Sequence, residues 1–336
     1  MKEAYLYEKE AKGRVRCFLC SHRCLIADGK RGICCVRENT KGVLYSLVYE
    51  KLISSNVDPI EKKPFFHFMP GSKAFSIATM GCNFRCLHCQ NHEISQLPEG
   101  EVTIIGEKVS SEEIVSMAKK HNCASISYTY TEPTIFFEYA YDTAKVAHTK
   151  GLKNTFVTNG YMTTEALDMI APYLDAANVD LKAFSEEFYK KVCGAKLKPV
   201  LESIAKIHDL GIWVEVTTLI IPTLNDSDGE LREIARFIRS VSPEIPWHVS
   251  AFYPTYKMLD KPRTSPETIR HAREIGLEEG LKYVYTGNIP GEEGENTACP
   301  QCNNTLIRRL GYHITESGIT EGKCPHCATP IAGVWR

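Results

Sequence analysis

The sequence predicts an α/β fold: a partial (β/α)6-type TIM barrel flanked by a small cysteine-rich module at each end. Apolar strand-like runs alternate with helical runs through the middle of the chain, and cysteines fall into groups on both sides of it. A chain of 336 residues can bury one large core with smaller appendages. We expect an N-terminal cysteine-rich segment over residues 1–71, the barrel over 72–292 and a C-terminal module over 293–336.

Seven short runs rich in β-branched and aromatic residues are the predicted strands, and longer amphipathic runs between them are the predicted helices. The strands are expected at 75–79, 125–130, 155–158, 176–181, 213–219, 248–253 and 283–286. The helices are expected at 112–121, 134–150, 164–173, 200–210 and 229–240. Ser110 and Glu113 have the spacing of a capping box, which predicts where the first of these helices begins.

Polar residues inside the strands favour a barrel over a doubly wound sheet. Small hydroxyls alternate with larger residues in 125–132, so that Ser127 and Thr129 share one face of the strand. Helices cover the outside of a barrel, so we expect this polar face to line the lumen and to leave room for a polar ligand. Glu215 and Thr217 repeat the pattern in 213–219. The alternative is an irregular strand at the surface.

The composition is typical of a globular protein, with 43% apolar and 24% charged residues and a formal net charge of -1. Such a small net charge gives no electrostatic reason to expect nucleic acid or an anionic membrane as a partner. No apolar run reaches the roughly 18 residues of a membrane helix. The first residues also lack the apolar stretch of a signal peptide. We therefore expect a cytoplasmic protein.

The chain has 14 cysteines, and most of them fall in three groups. In a reducing cytosol, grouped cysteines are metal ligands more often than they are disulfides. Cys123 and Cys193 stand alone and are expected to be buried small apolar side chains. The groups are Cys17, Cys20, Cys24, Cys34 and Cys35, then Cys82, Cys86 and Cys89, and last Cys299, Cys302, Cys324 and Cys327.

The central triplet has the spacing Cys-x3-Cys-x2-Cys, at Cys82, Cys86 and Cys89. Thiolates bind iron–sulfur clusters, and a four-iron cluster held by three of them leaves one iron open to a substrate. The alternative is a structural zinc ion with a fourth ligand from elsewhere. The triplet directly follows the first predicted barrel strand, where barrel active sites lie, and this position favours a catalytic cluster.

The run from Gly81 to Asn91 resembles the radical S-adenosylmethionine (SAM) superfamily, and within it the relatives of pyruvate formate-lyase activating enzyme. The segment 58–68 and the N-terminal cysteines are similar to those of the AmmeMemoRadiSam group. The resemblance implies an oxidoreductase with a [4Fe–4S] cluster whose open iron binds SAM. It also implies that one electron cleaves SAM to methionine and a 5′-deoxyadenosyl radical, which abstracts hydrogen from an unidentified substrate.

The same resemblance implies several partners. They are a reductant of the flavodoxin or ferredoxin type, proteins of the Memo and AMMECR types, and a protein or peptide as one class of substrate. A glycyl-radical-enzyme activating enzyme is the alternative within the enzyme class. Outside that class, the alternative is a non-enzymatic binding module in which zinc occupies all three cysteine groups.

Residues near the strand ends are expected to bind SAM, again by this resemblance. Thr131 and Glu132 stand where relatives carry Gly-Gly-Glu, and Glu132 would accept hydrogen bonds from the methionine ammonium. Three alternatives stay open: Glu132 begins a helix, Asp180 and Lys182 form a salt bridge, or His248 is a structural histidine. The implied SAM-binding residues are Thr131, Glu132, Asn159, Asp180, Lys182, Thr217 and His248.

The two outer cysteine groups are expected to bind metals of their own. Cys299, Cys302, Cys324 and Cys327 form two Cys-x2-Cys pairs, which predict a zinc ion in a zinc-ribbon or rubredoxin-like module. Such an ion can stabilise a segment too small for its own core. Either zinc or an auxiliary iron–sulfur cluster fits the N-terminal group, with Cys35 or His22 as a spare ligand. The expected N-terminal ligands are Cys17, Cys20, Cys24 and Cys34.

Overall fold

Small antiparallel sheets form the N-terminal part of the computed structural model, which describes residues 1–98, 103–289 and 291–335. Their strands are β1 (Lys2–Glu3), β2 (Tyr7–Glu10), β3 (Arg14–Cys17), β4 (Leu25–Ile26), β5 (Arg37–Thr40), β6 (Val43–Ser46) and β7 (Lys51–Leu52). Strands β1, β6 and β5 form one sheet, and β2, β3 and β4 form another. A buried ion pair joins this part to the rest of the protein, because Arg37 donates two hydrogen bonds to Glu138 at 2.7 and 2.8 Å.

One eight-stranded sheet forms the core. The next strands along the chain are β8 (Ser54–Pro59), β9 (Lys73–Ala78), β10 (Glu107–Lys108), β11 (Ser125–Tyr128), β12 (Lys153–Thr158), β13 (Ala176–Asp180), β14 (Trp213–Ile220), β15 (Trp247–Ala251) and β16 (Val284–Gly287). β10 pairs with β7, and the others form one sheet in the order β8, β9, β11, β12, β13, β14, β15, β16. All neighbours from β9 onward are parallel, whereas β8 is antiparallel to β9.

The α/β class and all seven predicted strands are confirmed, with small differences at their ends. Strand β8 was not predicted, because its polar sequence lacks the apolar alternation of a core strand. Within the described part of the chain, the edge strands β8 and β16 do not pair with each other. The sheet is therefore open, and the predicted barrel is not confirmed.

The helices lie mainly between the parallel strands. They are α1 (His92–Ser95), α2 (Ser111–Lys120), α3 (Phe137–Thr149), α4 (Thr164–Ile170), α5 (Glu186–Phe188), α6 (Leu197–Asp209), α7 (Asp228–Val241) and α8 (Pro266–Glu278). The predicted capping box is confirmed: Ser110 Oγ accepts from the Glu113 amide at 3.2 Å, and the Glu113 carboxylate accepts from the Ser110 amide at 2.7 Å. None of the described helices combines the length and apolar composition that a bilayer crossing requires.

Polar strand residues share one face of the sheet. The parallel register sets Asn178 opposite Glu215 and Thr217 opposite His248. Ser127 lies on the same face, and its hydroxyl is 2.6 Å from that of Thr155 on the neighbouring strand. The face predicted to line a lumen is thus a continuous polar surface.

Residues 60–69, here called the plug, cover the amino-terminal part of this polar face. Asn178 donates from Nδ2 to the Pro64 carbonyl at 2.8 Å. The Glu215 carboxylate accepts hydrogen bonds from the backbone amides of Phe66 and His67 at 3.0 and 2.8 Å. These two polar strand residues therefore hold a segment of the protein itself.

The C-terminal module packs against the plug. Its three-stranded sheet consists of β17 (Thr297–Ala298), β18 (Thr305–Leu310) and β19 (His313–Ser317). Arg309 donates to the Phe66 carbonyl at 2.9 Å, and the Val334 amide donates to the His67 carbonyl at 2.7 Å. The plug thus lies between the sheet and the module.

His67 is neutral at the centre of this packing. Its Nδ1 is 2.6 Å from the Ala332 carbonyl and its Nε2 is 2.5 Å from the Tyr285 hydroxyl. A neutral imidazole satisfies both contacts by donating from Nδ1 and accepting at Nε2. Burial is the main cause that lowers the pKa of His67, to about 4.

Acidification should destabilise the protein through His67. The unfolded chain takes up the proton near the ordinary value of 6.5, whereas the folded one does so only near pH 4. The free energy of unfolding should therefore fall as the pH drops through this window, by up to about 3 kcal/mol. Urea unfolding at several pH values measures this effect. The free energy of unfolding should depend less on pH in His67→Gln than in wild type, whereas the exposed control His148→Gln should keep the wild-type pH dependence. Equal pH dependence in wild type and His67→Gln would contradict this.

Candidate active site

A cavity of about 900 Å³ opens at the carboxyl ends of the parallel strands. It gathers the residues that the sequence predicted for the cluster and for SAM, although they are far apart along the chain. These lining residues are Cys82, Cys86, Cys89, Thr131, Glu132, Asn159, Asp180, Lys182, Thr217 and His248. All the candidates for the reaction thus share one space.

The cysteine loop follows β9 and packs against the N-terminal segment. Gly81 has a φ of +98°, and a Cβ at this position would lie 2.7 Å from Val36 Cγ1, so that only glycine fits. Cys82 and Cys86 are buried, and Cys89 is partly exposed. One tightly packed loop therefore presents all three thiols to the cavity.

Asn83 fixes this loop to the end of β12. Its side-chain oxygen accepts a hydrogen bond from Asn159 Nδ2 at 2.7 Å, and the same Nδ2 is 3.9 Å from the Cys82 sulfur. The Asn83 side chain is almost fully buried. This residue was not predicted, although its place directly after the first cysteine of the triplet is a signal that could have found it.

Glu132 is the centre of a buried hydrogen-bond network. Its Oε1 accepts from the Thr134 amide at 3.0 Å, the Thr134 hydroxyl at 2.5 Å and the Thr158 hydroxyl at 2.7 Å, while Oε2 accepts from the Asn159 amide at 2.8 Å. Burial raises the pKa of Glu132, and these hydrogen bonds oppose that shift. Glu132 also caps a 3-10 turn at Pro133–Phe136, which agrees with the alternative that this residue begins a helix. It lines the cavity as well.

Asp180 and Lys182 form the expected salt bridge while lining the cavity. Lys182 Nζ is 2.9 Å from Asp180 Oδ2. Burial alone would lower the pKa of Lys182, but the negative charges of Asp180 and Cys86 outweigh it and raise this pKa well above its ordinary value. A fixed positive charge therefore lies near the cysteine loop.

The other three SAM-binding candidates also have partners within the protein. The Thr131 hydroxyl donates to the Thr79 carbonyl at 2.9 Å. The Thr217 hydroxyl donates to Asn178 Oδ1 at 2.8 Å. His248 Nε2 is 2.6 Å from the Glu215 carboxylate, which agrees with the structural alternative for this histidine.

The profile of the Radical SAM superfamily matches residues 76–238, which contain the cysteine triplet, Glu132 and Asn159. The chain belongs to the radical SAM superfamily. An uncharacterised protein of Methanocaldococcus jannaschii is 48% identical over 334 residues, covering 98% of this chain and 99% of its own length. A putative glycyl-radical enzyme activating enzyme of the same organism is 25% identical over 210 residues, covering 61% of this chain and 78% of its own.

A solved radical SAM methyltransferase from Sphaerobacter thermophilus shares the fold, with a TM-score of 0.52 at 16% identity. The likeness covers 70% of this chain and 71% of that one. Members of the superfamily are enzymes that use SAM and a [4Fe–4S] cluster. Three thiols on the wall of one cavity are the ligands that such a cluster requires.

Two further parts of this radical SAM protein line the cavity, although the sequence did not predict a position there for either of them. Leu310, at the end of β18, and Gly311 and Tyr312, in the turn that leads to β19, line it. Lys62 and Lys63 of the plug line it as well. No local pattern marks these residues, because only the tertiary packing brings them to the site.

The C-terminal cysteines form a compact cluster. Cys299 Sγ lies 3.6 Å from Cys327 Sγ, and Cys302 Sγ lies 3.7 Å from Cys324 Sγ. Within the described ranges, this is the one group of three or more His, Cys, Asp or Glu residues whose ligand atoms all lie within 4.8 Å. Among the described residues, Cys82, Cys86 and Cys89 do not form such a group.

The four predicted N-terminal ligands line a second, smaller cavity. Cys17, Cys20, Cys24 and Cys34 share it with His22 and Arg37. The spare ligand Cys35 lies elsewhere, since its sulfur accepts a hydrogen bond from Arg85 at 3.3 Å. His22 Nε2 is 2.8 Å from the Asn83 carbonyl.

Replacement of Glu132 by glutamine should destabilise the fold. Whichever way its amide is oriented, an NH₂ group faces at least one of the donors that Glu132 now accepts from, which should lower the free energy of unfolding by about 1–3 kcal/mol. Urea unfolding measures this effect. The exposed Glu112→Gln is the matched control. Unchanged stability in Glu132→Gln would contradict the role given to this carboxylate.

Proposed function

We propose that this protein uses SAM to abstract a hydrogen atom from a substrate bound in the 900 Å³ cavity. The observation that carries the proposal is the convergence of the cysteine triplet and the strand-end polar residues on that cavity. Cys82, Cys86 and Cys89 would hold the [4Fe–4S] cluster. When bound, the cluster and SAM supply reductive cleavage of the SAM sulfonium to methionine and a 5′-deoxyadenosyl radical.

The polar residues of the cavity position the amino-acid part of SAM. Asn159 keeps its amide side chain beside Cys82 because Glu132 holds its backbone. The Glu132 carboxylate and the Asp180 carboxylate provide negative charge for the methionine ammonium, whereas Lys182 provides positive charge for its carboxylate. The binding role proposed for Thr217 is to accept a hydrogen bond at its hydroxyl oxygen, because the hydroxyl proton is donated to Asn178 on the same face.

The far side of the cavity is the proposed substrate entrance. A volume of about 900 Å³ is near the upper end of ordinary small-molecule sites. Leu310 and Tyr312 of the C-terminal module and Tyr253 line it and remain exposed. Exposed apolar side chains at the edge of a cavity favour contact with another molecule, which supports a protein or peptide segment as the substrate.

The remaining partners follow from the earlier resemblance. An electron donor of the flavodoxin or ferredoxin type would reduce the cluster, and Memo-type and AMMECR-type proteins are the proposed companions. We also propose that the C-terminal cysteines bind zinc, because their sulfur separations match the edges of a tetrahedral site, which are about 3.8 Å for zinc–sulfur bonds of about 2.3 Å.

A second candidate function is activation of a glycyl-radical enzyme. It is favoured by the 25% identity to a putative enzyme of that kind. Its substrate would be a backbone glycine of another protein. Incubation with a glycyl-radical enzyme encoded near this gene would then produce an organic radical signal in electron paramagnetic resonance (EPR), together with 5′-deoxyadenosine.

The first test is SAM cleavage by anaerobically reconstituted protein with dithionite as reductant. Wild type and the control Cys123→Ala should form 5′-deoxyadenosine, because Cys123 lies in neither cavity. Cys82→Ala, Cys86→Ala and Cys89→Ala should each form none, since a cluster ligand is lost. Chromatographic assay of 5′-deoxyadenosine and methionine measures the result. Product formation by Cys86→Ala at the wild-type rate would show that the proposal is wrong.

A further inference from the structure

The cysteine groups of this chain differ in the spacing of their sulfur atoms. The C-terminal group is compact, with two Sγ–Sγ distances of 3.6 and 3.7 Å and all four sulfurs within 4.8 Å. One tetrahedral zinc ion imposes such short separations, because all four thiolates bind the same atom. In an iron–sulfur cluster the thiolates bind different irons and lie farther apart.

The N-terminal group has the wider spacing. Cys17, Cys20, Cys24 and Cys34 line one cavity, yet within the described ranges no three of their sulfur atoms lie as close together as those of the C-terminal group. The sulfur atoms of the triplet Cys82, Cys86 and Cys89 are also not as close together as those of the C-terminal group. Neither group is therefore as compact as the C-terminal site.

A buried cation faces the N-terminal cavity. Arg37 lines it and is only 2% exposed. Two of its nitrogens bind Glu138, but its Nε has no hydrogen-bond partner among the described residues. A cluster held by four thiolates is anionic, and a buried anion is stable only beside compensating charge or hydrogen bonds.

The N-terminal cavity adjoins the catalytic loop directly. A Cβ on Gly81 would lie 3.0 Å from the Cys34 carbonyl oxygen, so glycine next to Cys82 allows this close approach. Arg85 bridges the two sides by donating to the Ile33 carbonyl and, at 3.2 Å, to the Cys82 carbonyl. The backbone of Cys34 therefore lies against the residue that precedes Cys82.

We propose that Cys17, Cys20, Cys24 and Cys34 bind an iron–sulfur cluster that passes single electrons to the catalytic cluster. The relay rests on the function proposed above, whereas the N-terminal cluster itself does not. A one-electron donor of the flavodoxin or ferredoxin class is oxidised as the N-terminal cluster is reduced. That cluster is oxidised again as it reduces the catalytic one, and no bond to cysteine changes.

The first test removes the catalytic ligands and leaves the N-terminal site untouched. The Cys82→Ala/Cys86→Ala/Cys89→Ala variant, reconstituted anaerobically, is assayed for iron, sulfide and zinc. Iron and sulfide should remain in equal amounts, beside about one zinc per chain from the C-terminal site. Two zinc ions per chain and no iron would overturn the proposal. If the triple alanine variant retains iron but the Cys17→Ser/Cys20→Ser variant has no iron at the triplet, the proposed function is refuted and the N-terminal cluster is not.

The second test removes the N-terminal ligands. Cys17→Ser/Cys20→Ser should lose the N-terminal share of the iron and keep the iron of the triplet. In this variant, stopped-flow reduction of the catalytic cluster by reduced flavodoxin should lose its fast phase. The control Cys123→Ser should retain that phase. An unchanged fast phase would refute the relay.

An EPR measurement on wild type provides a test that does not depend on the folding of Cys17→Ser/Cys20→Ser. Two reduced clusters in adjacent sites broaden each other's EPR signals by spin–spin interaction. Fully reduced wild type should show this broadening, and the triple alanine variant, with one cluster, should not. Identical, unbroadened signals in both proteins would contradict adjacent clusters.

Discussion

The carboxylate of Glu132 is buried where the ends of β11 and β12 meet the cysteine loop, and it accepts four hydrogen bonds there. One of them fixes the backbone of Asn159, whose side chain holds Asn83 beside Cys82. A chain of short polar contacts thus connects one buried charge to the loop that carries the triplet. Because each donor would otherwise be buried without a partner, this arrangement is stable only as a whole.

The polar face of the sheet serves two purposes along its length. At the amino-terminal end, Asn178 and Glu215 bind the backbone of the plug, and His248 is paired with Glu215. At the carboxyl end, Asp180 and Lys182 line the cavity. The plug therefore covers the amino-terminal part of this face, and the cavity lies at its carboxyl end.

Much of this organisation could be predicted from the sequence, because it depends on local patterns. The alternation of polar and apolar residues located the strands, and the spacing of Cys82, Cys86 and Cys89 located a loop whose three cysteines line the cavity. The plug could not be predicted, since its contacts with Glu215 join residues 149 apart. Nor does any pattern show that the backbone of Cys34 lies against Gly81, because that contact arises only on folding.

Anomalous diffraction at the iron and zinc absorption edges, from crystals grown anaerobically with SAM, would locate both metals and the cofactor. We expect iron within bonding distance of Cys82, Cys86 and Cys89, with the amino-acid part of SAM beside Asn159 and Lys182. We also expect zinc among the C-terminal cysteines. Zinc in place of iron at the triplet, or SAM bound outside the cavity, would contradict the proposed function.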